Sequence, residues 1–154
     1  MKSAVAVAKE LKRLGCLPCL VLSSDARRTR ETYARMTSMW ADEDLPVRVE
    51  YLAEFYAGVF DRPATEVIMD AVYTNARSED TVMVLGHNMG WELALNELVG
   101  PRGRAGAPVL EMKTADCFVL ERDMEEWEDI FTSYGKWAIR HQIRSRNLLT
   151  TKEG

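Results

Sequence analysis

The sequence is poor in cysteine and histidine and has no long apolar run, and each shortage excludes a class of protein. No run of about 18 or more apolar residues is present, so we expect no membrane-spanning helix. The three cysteines are an odd number, and the charged residues at 9–13 interrupt the apolar start, which argues against both a disulfide framework and a signal peptide. Cys16 and Cys19 have redox-motif spacing, but no second Cys/His pair completes a metal site, so we expect ordinary thiols and no metal.

An excess of positive charge is also missing. The 20 Lys and Arg residues against 24 Asp and Glu residues give a formal net charge of −4. Binding to a phosphate backbone needs a clustered basic surface, so we expect no nucleic-acid partner. Free thiols without a secretory signal indicate a reducing compartment, which predicts the cytoplasm or an organelle stroma.

Helical and strand patterns alternate along the chain. The predicted elements are a helix over 3–14 with Gly15 as its cap, a strand at 20–22, a helix from the cap Asp25 to about Met39, a strand at 47–51, a helix opened by Pro63, a strand at 82–85, a helix over 91–98 ended by Gly100, a Gly/Pro/Arg loop at 101–108, a strand at 117–120, a helix over 124–134 and a strand over 137–143. This alternation predicts one three-layer α/β/α domain over residues 1–144 with a mostly parallel sheet, followed by a polar tail at 145–154.

Two strand-to-helix junctions are polar, at residues 24–32 and 86–90. Both should lie at the carboxyl edge of the sheet, where helix N-termini offer N–H groups and arginine adds a two-pronged donor. Phosphate suits this combination. Arg28 is placed to reach back over the strand end, whereas Arg27 and Arg30 fit a solvated helix face. His87 is either a ligand contact or a hydrogen-bonded turn residue.

These junctions carry a family resemblance. The segment SDARRTRET at 24–32 resembles the Ser-x-x-x-Arg-x-x-x-Thr block of the histidine phosphatase superfamily, which is phosphoglycerate mutase-like, and GHN at 86–88 resembles its second-histidine block. The segments LPCLVLSS at 17–24, GHNMGWE at 86–92 and WEDIFTSYGKW at 127–137 look like the phosphohistidine phosphatase branch, so the resemblance extends over roughly residues 3–144.

The resemblance implies a two-step phosphomonoester hydrolase in which a histidine first accepts the phosphoryl group. Arg28 and His87 match positions that bind this group and stabilise its charge during transfer, and Ser24 and Asn88 lie in the same phosphate-binding blocks. No cofactor is implied. The expected partner is a phosphorylated small molecule or a phosphohistidine protein.

The sequence departs from the family at the nucleophile. The family's first strand ends in an Arg-His pair, and it precedes the helix that here begins at residue 3. We therefore expect an N-terminally incomplete chain that is inactive by itself. The alternative is a non-catalytic, phospho-ligand-binding or scaffold domain. A sheet that lacks this strand exposes an edge, which favours a homodimer.

Two further residues have open roles. His141 follows Arg140 in a strand pattern, so a circular permutation would make it the nucleophile, whereas a place on one face with Trp137, Ile139 and Ile143 would make it a packed histidine. Glu54 matches the general acid of mutase-like relatives, or it is an exposed strand-end carboxylate.

Overall fold

The protein folds around a three-stranded parallel sheet. The computed structural model describes residues 2–46, 48–99 and 109–148. Its helices are α1 (Lys2–Arg13), α2 (Arg27–Thr37), α3 (Ala64–Asn75) and α4 (Gly90–Leu98), and its strands are β1 (Leu20–Ser24), β2 (Arg48–Leu52), β3 (Val82–Leu85), β4 (Cys117–Glu121) and β5 (Ala138–Ile143). Short 3-10 helices occupy Ala41–Glu43, Ala53–Phe55, Gly58–Phe60 and Trp127–Thr132.

Strand β1 is the centre of the parallel sheet, whose order is β2-β1-β3. Ser24 lies opposite Leu52 of β2, and Ser23 lies opposite Leu85 of β3, so the carboxyl ends of the three strands share one edge. All five residues of β1 are buried, as its unbroken apolar run predicts for a strand covered on both faces. Strands β4 and β5 form a separate antiparallel pair.

Helices cover both faces of this sheet. On one face, Val21 and Met83 pack in a core cluster with α1 and α2. On the other face, Leu20, Leu22 and Val84 pack against α3 and α4. Alternate strand residues therefore serve opposite cores, and the predicted three-layer α/β/α fold is confirmed.

Helix α1 joins the two sheets. Cys117 and Val119 of β4 pack in the same cluster as Val7 of α1 and Met83 of β3. Within the described residues, however, β3 pairs with β1 only and β4 pairs with β5 only. Strands β3 and β4 are also only half-buried along their apolar residues, in contrast to β1. The two sheets therefore share one core while each keeps an unpaired strand edge.

Two predicted helix boundaries are wrong. Asp25 does not cap α2, because the helix begins two residues later and the Ala26 N–H donates to Ser24 Oγ at 3.2 Å. The helix predicted over 124–134 is a 3-10 helix over Trp127–Thr132. The Asp129 carboxylate accepts backbone N–H groups from the residues just before this helix, so it delays the helix start.

The first residues of the predicted tail pack on the domain. Residues 145–148 form one helical turn, the Ser145 N–H donates to Asp116 Oδ1 at 3.3 Å, and Leu148 packs against the α1 cluster. The nearby Arg144 pairs with Asp116 at 2.7 Å. Gly100, the predicted loop at 101–108 and residues 149–154 lie outside the described residues.

None of the described helices combines the length and apolar character needed to cross a bilayer.

Candidate active site

The two polar junctions meet through a hydrogen bond between Ser24 and His87. Ser24 ends β1 and is fully buried, and His87 follows β3 by two residues. Its Nε2 atom lies 2.8 Å from Ser24 Oγ. Because the strands are parallel and adjacent, their carboxyl ends bring together residues that are 63 positions apart in sequence. The predicted meeting of the two junctions is confirmed.

Arg28 is the second residue of α2 and its side chain is exposed. Its guanidinium has no ion pair or hydrogen bond with any residue that the structure describes. Its neighbours are engaged: Arg27 pairs with Glu31 at 3.0 Å, and Arg30 lies over the Tyr51 ring at 4.2 Å from the centroid. Arg27 thus lies on the expected solvated face, Arg30 packs on an aromatic ring, and Arg28 keeps its donors available.

The His87 ring is half-buried between the sheet edge and an aromatic side chain. Burial lowers the pKa of His87 below its usual value, which favours a neutral imidazole at pH 7. The Tyr56 ring contacts it in a T-shaped arrangement with centroids 5.2 Å apart. Tyr56 is a site residue that we did not predict. Its neighbour Phe55 is fully buried, so the local backbone turns Tyr56 toward His87.

Asn88 and Glu54 lie at the same edge without direct bonds to His87. The Asn88 amide Nδ2 donates to the Met112 carbonyl, so it ties the junction to the chain before β4. Glu54 lies in the 3-10 helix after β2, is exposed, and makes no ion pair or hydrogen bond within the described part of the chain.

His141 lies apart from Ser24 and His87. It sits in β5 opposite Val119 and near Glu10 of α1, whose pKa is lowered chiefly by the hydrogen bond from Arg13 and to a smaller extent by His141. The alternative that places His141 on one face with Trp137, Ile139 and Ile143 is wrong for Ile139. His141 is half-buried, and no bulge separates it from Ile143. A bulge between the pairs His141–Val119 and Ile139–Leu120 sends Ile139 into the cluster around α4, while Ile143 packs under α1.

The described residues contain no group of three or more His, Cys, Asp or Glu side chains that could hold a metal ion. Cys16, Cys19 and Cys117 are free thiols. Burial raises the pKa of Cys117 to about 12, so this thiol stays protonated and unreactive at neutral pH.

Comparison with solved structures decides the fold. SixA from Nakamurella multipartitia superposes with a TM-score of 0.70 at 24% identity, over 92% of this chain and 79% of that one. SixA from Agrobacterium tumefaciens gives a TM-score of 0.63 at 20% identity, over 93% and 82% of the two chains. Both are described as phosphohistidine phosphatases. This chain has the fold of the SixA phosphohistidine phosphatases. The resemblance to the histidine phosphatase superfamily is therefore confirmed for the fold.

Two other relatives extend this comparison. A protein histidine phosphatase SixA complexed with tungstate gives a TM-score of 0.62 at 18% identity, over 95% of this SixA-like chain and 80% of that one. A chloroplastic protein of Arabidopsis thaliana, described as uncharacterized, is 33% identical over 140 residues, which are 88% of this chain. The chain spans 61% of the length of that relative. No protein-family model matches the sequence.

Proposed function

We propose that this SixA-like domain binds a phosphoryl group at Ser24, Arg28 and His87 and belongs to a phosphomonoester hydrolase that works through a phosphohistidine intermediate. The observation that carries the proposal is the 2.8 Å contact between His87 Nε2 and Ser24 Oγ, four residues before Arg28, whose guanidinium has no described partner. The same edge holds the N-termini of α2 and α4, whose N–H groups favour an anion.

Arg28 and His87 have complementary tasks in this proposal. The guanidinium of Arg28 donates two parallel hydrogen bonds to phosphoryl oxygens. The neutral His87 ring, held at Nε2 by the contact with Ser24, takes up a proton when negative charge grows beside it. Asn88 holds the junction through Met112 and keeps a second amide proton for the ligand. In this proposal Glu54, at the same edge, protonates a leaving group that extends past β2.

The nucleophile in this proposal is a histidine other than His87 and His141, which are the two histidines of this sequence. Its imidazole nitrogen attacks phosphorus while the bond between phosphorus and the leaving oxygen breaks, and the leaving oxygen takes a proton. Water then attacks phosphorus, the P–N bond breaks, and inorganic phosphate leaves. The unpaired edges of β3 and β4 support a strand between them, since it would pair with both sheets. Run parallel to β3, it would end beside His87.

A second candidate function is binding of phosphorylated ligands without turnover. One observation favours it: His141 lies in β5, so His87 is the one histidine beside Ser24 in the part of the chain that the structure describes. Such a domain would keep the phosphoryl site and lack the nucleophile. Both candidates agree that the 154-residue chain by itself binds a phosphate analogue and does not turn over a phosphate ester.

The test measures tungstate binding by calorimetry and aryl phosphate hydrolysis with the 154-residue chain, with His87→Ala and His141→Ala as matched variants. We expect tungstate to bind the parent and His141→Ala, and to bind His87→Ala at least about tenfold more weakly. No tungstate binding by the parent contradicts the proposal. Turnover that is lost in His141→Ala would instead make His141 the nucleophile of a permuted enzyme.

The proposed partner is a phosphorylated small molecule or a phosphohistidine protein, as the descriptions of the SixA structures suggest. The exposed edges of β3 and β4 support a homodimer as the state of the chain alone. We place the protein in an organelle stroma or the cytoplasm, which agrees with the chloroplastic relative and the three free thiols.

A further inference from the structure

Three large apolar side chains next to His87 are exposed and belong to none of the core clusters of the described residues. They are Tyr56, Phe60 and Met89, with 52%, 79% and 83% of their surface exposed, and we call them the apolar rim. Phe55, which precedes Tyr56 in the chain, is by contrast fully buried in the core of the described residues. Packing of the fold therefore does not explain the position of the apolar rim.

The apolar rim lies beside the candidate phosphate site. Tyr56 links the two, because its ring centroid is 5.2 Å from that of His87 and 6.2 Å from that of Phe60. Met89 follows His87 by two residues. A Cβ on the next residue, Gly90, would lie 2.9 Å from Ala64 Cβ, which places this segment against the start of α3, just after Phe60. Two separate segments, one with Tyr56 and Phe60 and one with Met89, thus carry exposed apolar side chains near the junction that holds His87.

The position of the apolar rim determines which substituents of a phosphoryl ligand bind favourably. A phosphoryl group held by His87 and Arg28 leaves its fourth substituent free. The aromatic group in contact with His87 is the Tyr56 ring, which in turn contacts Phe60. An apolar substituent would remove this surface from water, whereas a strongly hydrated one would lose hydration without gaining partners.

We infer that the apolar rim receives an apolar group attached directly to the phosphoryl group, so the site selects phosphates carried by apolar or aromatic groups. This inference rests on the proposed function. Tyr56 lies against the substituent nearest the phosphorus, and Phe60 and Met89 cover its outer face. Covering one face of a phenyl ring strengthens binding by roughly tenfold.

The experiment compares phenylphosphonate with methylphosphonate and inorganic phosphate as probes, by calorimetry on the 154-residue chain. The variants are Phe60→Ala, Met89→Ala and the double variant. The matched control is Phe131→Ala, because Phe131 is also an exposed aromatic residue but packs against Tyr73 at 5.1 Å, away from His87.

We expect the parent and Phe131→Ala to prefer phenylphosphonate over methylphosphonate by roughly tenfold. Each single variant should reduce this preference by about threefold, and the double variant should abolish it. An equal preference in the parent and the double variant overturns the role of the apolar rim while phosphate binding remains. Failure of the parent to bind inorganic phosphate overturns the proposed function, and the apolar rim then has no phosphoryl group to serve.

Discussion

The Trp91 ring occupies the space that any side chain at Gly86 would need. A Cβ built on Gly86 would lie 2.3 Å from Trp91 Cζ2. The indole N–H of Trp91 also donates to the Val84 carbonyl at 3.2 Å, which fixes the ring against the end of β3. This packing requires a glycine before His87. Trp91 therefore fixes the position of the junction relative to the end of β3.

Gly86→Ala should destabilise the fold by about 1–3 kcal/mol, because the methyl group has to displace a packed ring. Urea unfolding followed by tryptophan fluorescence measures this change. Gly135→Ala is the control: Gly135 has a φ of +69° and open space around it, so its substitution costs only backbone strain of about 1 kcal/mol. A smaller effect for Gly86→Ala than for Gly135→Ala would contradict the packing argument.

Arg28→Ala should weaken tungstate binding by roughly 10- to 100-fold, which is the worth of a hydrogen bond between charged groups. Arg35→Ala is its matched control, because Arg35 is also exposed on α2 and has no described ion pair. The control should bind tungstate as the parent does. Equal losses in both variants would show that general charge, and not the position of Arg28, attracts the anion.

Tungstate binding should depend on pH through His87. Burial lowers the pKa of the free imidazole, and a bound dianion raises it again, so binding takes up a proton between these two pKa values. Affinity should rise as pH falls through that window, by at most about tenfold per pH unit. The depressed pKa also means that His87 contributes stability above its unfolded pKa, and this is lost as pH falls through the folded pKa.

Proton NMR of the two histidines measures both titrations, with His141→Gln to assign the remaining signal. If the pKa of His87 did not change on addition of tungstate, His87 would not be in contact with the bound anion.

Amide exchange should distinguish the strands of the parallel sheet. Strand β1 has a neighbour on both sides, whereas β3 and β4 each have one described neighbour. We expect at least some β3 and β4 amides to exchange about tenfold or more faster than those of β1. Exchange followed by mass spectrometry at two protein concentrations measures this. Protection of β3 that grows with concentration would indicate a homodimer. Protection of β3 and β4 equal to that of β1 at both concentrations would contradict an open edge.

Much of the fold follows from local patterns. The buried run at 20–22 and the run at 82–85 have no charged residue and lie before polar junctions, so both strands and their parallel pairing were predictable. The predicted cap at Gly15 and the helix start at Pro63 are confirmed, because a φ of +71° and the fixed φ of proline are properties of single residues.

The features that failed depend on contacts that no periodic pattern in the sequence shows. Asp25 is a good cap in isolation, but the Ser24 hydroxyl takes the Ala26 N–H. The bulge at Arg140 turns Ile139 to the other face of the strand, and an alternating pattern of apolar residues cannot predict a bulge. Tyr56 was missed because its role arises from contact with His87, 31 positions away in the chain, and only the buried Phe55 beside it hints at the direction of its ring.

Helix α1 carries no residue of the candidate site, yet it covers residues of both sheets. Its apolar face covers Met83 in one sheet and Val119 in the other. The buried Trp40 indole holds α1 in place by donating to the Ala8 carbonyl at 3.0 Å. Neither sheet can lose this cover without exposing the core of the other. We therefore expect unfolding of α1 to expose the cores of both sheets and to separate Ser24 from His87.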